Sequence, residues 1–162
     1  YESKFSIYRQ RSSEQSIRRL VMFNAIEVLA KGLSAARTRM NVLASNIANA
    51  ETTRTEDGGP YKRKDVVQAS VGVQSAFASQ LDKATLSEPQ VMAVVEDSAD
   101  PRKVFQPGHP DADKDGFVSY PNINVVQTMT DMMTVSRLYQ ANLTAVDSAT
   151  QMTQAAKDII RI

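Results

Sequence analysis

The sequence predicts a mainly α fold in which long amino- and carboxy-terminal helices pair as a coiled-coil-like core around a small β-rich insert. Three observations predict it. The closing stretch 123–162 contains neither proline nor glycine and repeats its apolar residues at helical spacing. Residues 23–49 carry three consecutive heptads of apolar positions. Between them, 51–121 holds most of the prolines and glycines together with Val-rich strand candidates. The chain divides into a basic leader at 1–21, a core helix at 22–50, the insert with its loops at 51–121 and a second core helix at 122–162.

The leader places Arg9, Arg11, Arg18 and Arg19 among serines and glutamines, with Tyr1, Phe5, Tyr8 and Ile17 as sparse apolar points. No apolar core with a small-residue cleavage site follows, so a conventional cleaved signal is not expected. Two readings stand: a solvated leader or misassigned start ahead of Met22, and a basic surface that docks on an assembly partner or lipid.

From Phe23 the period is clear. Ile26, Leu29, Leu33, Ala36, Met40, Leu43 and Ile47 alternate three and four apart. Gly32 and Asn41 lower helix propensity by up to about 1 kcal/mol each without ending the pattern. Small residues at Ala30, Ser34, Ala44, Ser45 and Ala48 allow another backbone to come close. The helix should fade near Ala50, ahead of the turn signal Asp57-Gly58-Gly59-Pro60.

In the insert, 61–71, 91–96 and 102–106 read as strands and 70–88 as a surface excursion. Such an insert of two to four strands is too thin for its own core and must lean on the helices. The run Lys62-Arg63-Lys64 is either a solvated strand edge or a site for an acidic partner surface. No alternating aromatics accompany it, which argues against single-stranded nucleic acid.

The last helix shows two seams. One runs through Val135, Leu138, Ala145, Ala149, Met152, Ala156 and Ile159, with Asn142 as its polar member; the other through Met129, Met132, Tyr139, Leu143, Val146 and Ile160, with Ser136, Thr150, Thr153 and Lys157 at its other positions. Together they are wider than a two-stranded coiled coil needs. At about 1.5 Å per residue the helix spans roughly 60 Å, too long for this chain to bury alone.

Little here suggests chemistry. Asp111-Ala-Asp113-Lys-Asp115-Gly116 opens like a calcium loop, but its twelfth position is Asn122 and prolines flank it, so it reads as an Asx-rich turn. His109 is the sole histidine, and Gly58-Gly59 lacks the spacing of a phosphate-binding loop. No enzyme activity, cofactor, metal or small-molecule substrate is expected. The 19 basic and 18 acidic residues nearly balance, giving no footprint for a nucleic-acid partner, and there is no cysteine.

The expected functional residues are therefore an assembly interface: Ile26, Leu29, Leu33, Met40, Leu43, Asn46, Ile47 and Asn49 on the first helix, and Arg137, Leu138, Tyr139, Gln140, Asn142, Leu143, Val146, Met152 and Ile159 on the last. The first set is expected to pack against the second. Asn46, Asn49 and Asn142 either fix register between subunits through buried hydrogen bonds or face solvent. On the first alternative, Asn46→Leu loses specificity before stability. Arg137 and Gln140 are candidates for bridging to carbonyls or to a neighbour's carboxylates. On residues alone, a self-associating subunit competes with a soluble helical adaptor that binds one partner protein.

Three stretches carry a family resemblance. Leu43-Ala-Ser45-Asn46-Ile47-Ala48-Asn49-Ala50 resembles the Asn-rich signature of the flagellar rod and hook axial proteins. Gly58-Gly-Pro60-Tyr61-Lys-Arg-Lys64, and the run from Pro107-Gly-His109-Pro110 through Tyr120-Pro121-Asn122 to Ser136-Arg137-Leu138-Tyr139-Gln140-Ala141-Asn142, narrow it to the proximal rod of the bacterial flagellar basal body. The resemblance covers 22–162; residues 1–21 depart from it. It implies a structural subunit whose terminal helices form the inner layer of a helical rod, with the β-rich piece outside. It also implies torque transmission from rotor to hook, a place in the periplasm, and type III export without signal cleavage. The implied partners are other copies, other rod proteins, the export apparatus and the rod-to-rotor adaptor.

Overall fold

The computed structural model of the chain describes residues 26–72 and 87–160, without the side chains of 159 and 160. The expected leader, Met22, most of the 70–88 excursion and the Ile159 side chain lie outside the described residues. In order, the elements are α1 (26–48), β1 (Lys64–Gly72), β2 (Ser87–Glu96), β3 (Arg102–Phe105), β4 (Phe117–Tyr120) and α2 (Val125–Ile160). The amino- and carboxy-terminal helices pair, and the insert is two separate antiparallel two-stranded sheets.

Helix α1 ends where Asn49 closes it. The Asn49 amide Nδ2 donates to the Ser45 carbonyl at 2.9 Å, and its Oδ1 accepts from the Thr52 hydroxyl at 3.3 Å. The Ser45 carbonyl thus accepts twice from Asn49, since the Asn49 backbone N–H also donates to it at 3.0 Å. The following loop folds back on itself, with Tyr61 N–H donating to the Thr52 carbonyl at 3.0 Å and Thr55 N–H to that of Gly59 at 2.9 Å. Gly58 and Gly59 take φ of 82° and 83°, the left-handed region that a Cβ disfavours.

The chain then enters the first hairpin, which lies lengthways along α1 and is pinned to it at both ends. At one end Asn46, only 2% exposed, pairs with both backbone groups of Lys64. Its Nδ2 donates to the Lys64 carbonyl at 2.7 Å, and its Oδ1 accepts from Lys64 N–H at 2.9 Å and from the Tyr61 hydroxyl at 3.1 Å. At the other end the Lys31 ammonium donates to both oxygens of Glu88 at 2.6 Å. The spacing fits: residues 31–46 of a helix rise about 22 Å at 1.5 Å per residue. A strand crosses the same distance in about seven residues, which matches 64–71, because Val71 pairs with Glu88. The register shifts between Val67 and Gln68, where Met92 is the extra residue on β2. Such a bulge increases local twist, which suits a ribbon that follows a helix.

The expected third strand ends at Phe105 and pairs with β4, a strand that the sequence reading did not place. The acidic turn between them is held by its own backbone. Asp113 Oδ1 accepts from the N–H groups of Asp115 at 2.9 Å and Phe117 at 2.8 Å, an Asx turn. Gly116 has φ of 82°, and a Cβ there would sit 2.9 Å from the Phe105 ring. Phe105 and Phe117 meet edge to face at 5.4 Å, and Val118 is fully buried. Asp111 joins the two loop systems: it accepts from the Thr53 hydroxyl at 2.8 Å and lies 3.7 Å from Arg54.

Asn124 opens α2 as its N-cap, accepting from Gln127 N–H at 3.1 Å. Where α2 meets α1, an added Cβ at Gly32 would lie 3.2 Å from Asn142 Nδ2. Burial along α2 runs from Thr128 through Val135 to Ala149 and the half-buried Thr153, and 154–158 are exposed. With Gly32 beside Asn142, a parallel arrangement would bring the end of α1 alongside this exposed tail. An antiparallel arrangement instead sets it beside the buried Thr128, so the helices are antiparallel. Their shared core is thin, with Ala36, Val135 and Ala149 buried.

The inward stripe of α2 corrects the expected seams. It comprises Thr128, Met132, Val135, Tyr139, Asn142, Val146, Ala149 and Thr153, taking members from both expected stripes. Two of its positions are threonines whose hydroxyls donate to carbonyls one turn earlier, Thr128 to Asn124 and Thr153 to Ala149, each at 2.8 Å. With the hydroxyl paired inside the helix, its desolvation cost falls and the methyl faces the seam.

Three outcomes test this architecture. Asn46→Leu should strip both Lys64 backbone groups of their partners and lower stability by about 2–4 kcal/mol in urea unfolding, reversing the expected order of specificity before stability. Gly32→Val should separate the helices, seen as faster amide exchange on both sides of the contact, whereas Gly32→Ser should be tolerated better. Glu88 raises the pKa of Lys31 above its ordinary value mainly by hydrogen bonding, opposed by partial desolvation. That stabilisation is complete below the unfolded lysine value and is lost as pH rises through the raised one. Glu88→Gln should therefore lower the thermal midpoint at neutral pH, with the gap to the parent protein persisting to about pH 10 and closing above it.

Candidate assembly interface

On α1, the expected Ile26, Leu29, Leu33, Met40, Leu43 and Ile47 are half-buried. A second stripe, which the heptad pattern did not mark, faces the hairpin: Lys31, Ala35 and Thr38 line a groove with Glu88, Pro89 and Val91. Its signal was hidden because Lys31 looks like a solvated charge until Glu88, 57 residues away, is placed beside it. Gly32 was read as a weak spot in the helix. An added Cβ there would meet Asn142 of α2 at 3.2 Å and Pro89 at 3.9 Å.

The asparagines divide. Neither alternative foreseen for Asn46 holds, since all its side-chain hydrogen bonds stay within the chain, to Lys64 and Tyr61. Asn49 likewise bonds locally, to Ser45 and Thr52. Asn142 is half-buried against Gly32.

On α2, Tyr139 and Val146 are half-buried and Arg137 and Gln140 are exposed. Leu138, Leu143 and Met152 are 55%, 44% and 63% exposed, so the expected packing of these three against α1 within the chain does not occur. They sit off the inward stripe because threonine and asparagine, rather than leucine, set its phase.

Large apolar side chains consequently surround α2. At about 100° per residue, Val126 and Met133 lie on the side away from α1, Met129 and Leu143 on one flank, and Leu138 and Met152 on the other. Only five of its 36 residues are charged: Asp131, Arg137, Asp147, Lys157 and Asp158. The outward hydroxyls are already paired, with Thr130, Thr134, Thr144, Ser148 and Thr150 each donating to a carbonyl four residues back. Exposed apolar side chains standing among glutamines and hydroxyls on several sides of α2 suit burial on more than one side. The surface can be desolvated at low cost, because its hydroxyls need no outside partner.

The loop residues serve structure. His109 Nδ1 accepts from Asp111 N–H at 3.1 Å and the ring packs edge-on to Tyr120, while the carboxylates of Asp111 and Asp113 are hydrogen-bonded as described above. Among the described residues, no three His, Asp or Glu side chains are grouped to hold a metal. Lys62 and Arg63 are exposed beside Glu96 and Asp65 at 3.9 and 3.6 Å.

Comparison with known proteins agrees with this architecture at both ends. Residues 26–54 match the family described as flagella basal body rod protein, and 114–159 match the carboxy-terminal region of the flagellar basal body rod FlgEFG proteins. The flagellar basal-body rod protein FlgC of Borreliella burgdorferi is 35% identical over 150 residues, covering 86% of this chain and 98% of the relative. FlgC of Salmonella typhimurium is 35% identical over 141 residues, covering 82% and 93%. FlgC of Bacillus subtilis is 33% identical over 150 residues, covering 86% and 99%. With identity at this level along nearly the whole length of each relative, the chain belongs to the FlgC family of flagellar basal-body rod proteins.

Proposed function

We propose that the chain is a subunit of the proximal rod, assembling helically with other rod proteins and with its own copies to carry torque from the rotor to the hook. The observation that supports this best is the set of apolar side chains left around α2 after α1 has covered one stripe. Contacts on several sides of one helix are what a continuing assembly needs, since heterologous contacts propagate where a single patch saturates. In this reading α1 and α2 form the inner layer of the rod and the two hairpins its outer part. The interface comprises the expected helix residues other than Asn46 and Asn49, with Leu138, Leu143 and Met152 reaching neighbouring subunits and Arg137 and Gln140 making polar contacts there. The protein works in the periplasm, after type III export without a cleaved signal, and meets the rod-to-rotor adaptor at one end of the rod.

Leu143→Asp tests the reading. Since Leu143 is 44% exposed, the change should alter monomer stability by less than about 1 kcal/mol while abolishing incorporation into rods. Normal incorporation of the variant would remove the α2 surface from the interface. A complex of fixed stoichiometry with a single partner would favour a helical adaptor instead.

A further inference from the structure

The chain has neither cysteine nor tryptophan, so its seven methionines are its only sulfur atoms and its most readily oxidised side chains. Their placement is uneven. On α2, Met129, Met133 and Met152 are 46%, 62% and 63% exposed, while Met132, between the first two, is half-buried on the inward stripe. Met129 and Met133 stand one turn apart, with the exposed Val126 a turn earlier, and form one thioether-rich patch. Met152 lies on the opposite flank. Any packing that covers α2 on two sides therefore covers at least one of these sulfurs.

We propose that Met129, Met133 and Met152 are sulfoxidation sites through which hydroperoxides reversibly block assembly of the free subunit. The thioether sulfur attacks the distal peroxide oxygen: an S–O bond forms, the O–O bond breaks, sulfur loses two electrons, and the peroxide leaves as water or an alcohol. The product carries a polar, hydrogen-bond-accepting sulfoxide where an apolar contact is required. Burying it without a donor is unfavourable, so the oxidised α2 stays in water. Thiol-dependent sulfoxide reductases return the sulfur to its reduced state and release the oxygen as water. Accessibility sets the order of events: the free subunit is the vulnerable form, and assembly itself protects the three sulfurs.

This inference rests on the reading of α2 as an assembly surface, and one experiment separates the two. The full-length chain is treated with hydrogen peroxide, mapped by peptide mass spectrometry, and assayed for association by sedimentation velocity, alone and with other rod proteins. Met129, Met133 and Met152 should gain oxygen about tenfold faster than Met132, and the concentration for half-association should rise about tenfold or more. Reductases of both epimer specificities should restore it. In the variant M129L/M133L/M152L, the ratio of treated to untreated association should stay within about twofold. Equal oxidation of Met132, or undiminished association of the oxidised chain, overturns the inference alone. An untreated chain that associates with nothing at any concentration overturns the reading of α2, and the inference with it.

Discussion

The arrangement depends on a two-point attachment. One asparagine side chain on α1 imitates a neighbouring strand, offering a donor and an acceptor to the backbone of Lys64, and an ion pair between Lys31 and Glu88 holds the far end of the same ribbon. A two-stranded sheet has no core of its own and is marginal in water. Fastened at a single point, it would swing. Two attachments separated by four turns of helix define its position and its direction, and the shared length of helix and strand lets both form without strain. The loop after α1, the Tyr61 hydroxyl and the contact of Pro89 with Gly32 all follow from that placement.

The helix pair obeys a different constraint. The fully buried positions of its shared layer are alanine, valine and threonine, and only Met132, Tyr139 and Asn142 add larger, half-buried side chains from α2, so each helix buries little. Much of the apolar surface of α2 remains uncovered, and the described residues include no further element to lay over it. In the proposed rod, stability and association are thus coupled: groups that complete the packing around α2 come from neighbouring subunits.

Much of this was legible in the sequence. The two terminal helices and the thin β-rich insert between them followed from periodicity and from where proline and glycine fall, although β1 runs to Gly72 and β2 begins at Ser87, where a surface excursion was expected. The phase of α2 was not legible, because a search for apolar letters passes over Thr128 and counts Thr153 only as a polar filler of one seam, and both behave as apolar only once their hydroxyls are turned back on the helix. Strand β4 was missed because only four residues separate an Asx turn from Pro121. The attachments of Asn46 and Lys31 pair residues 18 and 57 positions apart, and no local pattern announces such partners. The family signature did mark Asn46 and Asn49, but as candidates for contacts between subunits; geometry assigns both to the internal architecture.

The repeated hydroxyl-to-carbonyl bonds along α2 bear on its shape. Each such bond competes with the backbone donor for the same oxygen, and helices that contain them bend. Seven are spread among the described residues of α2, from Thr128 to Thr153, with none of the proline that would concentrate the deflection at one kink. Bending spread in this way would let a helix of about 54 Å follow a curved surface as one smooth arc, like a spring leaf and unlike a jointed rod.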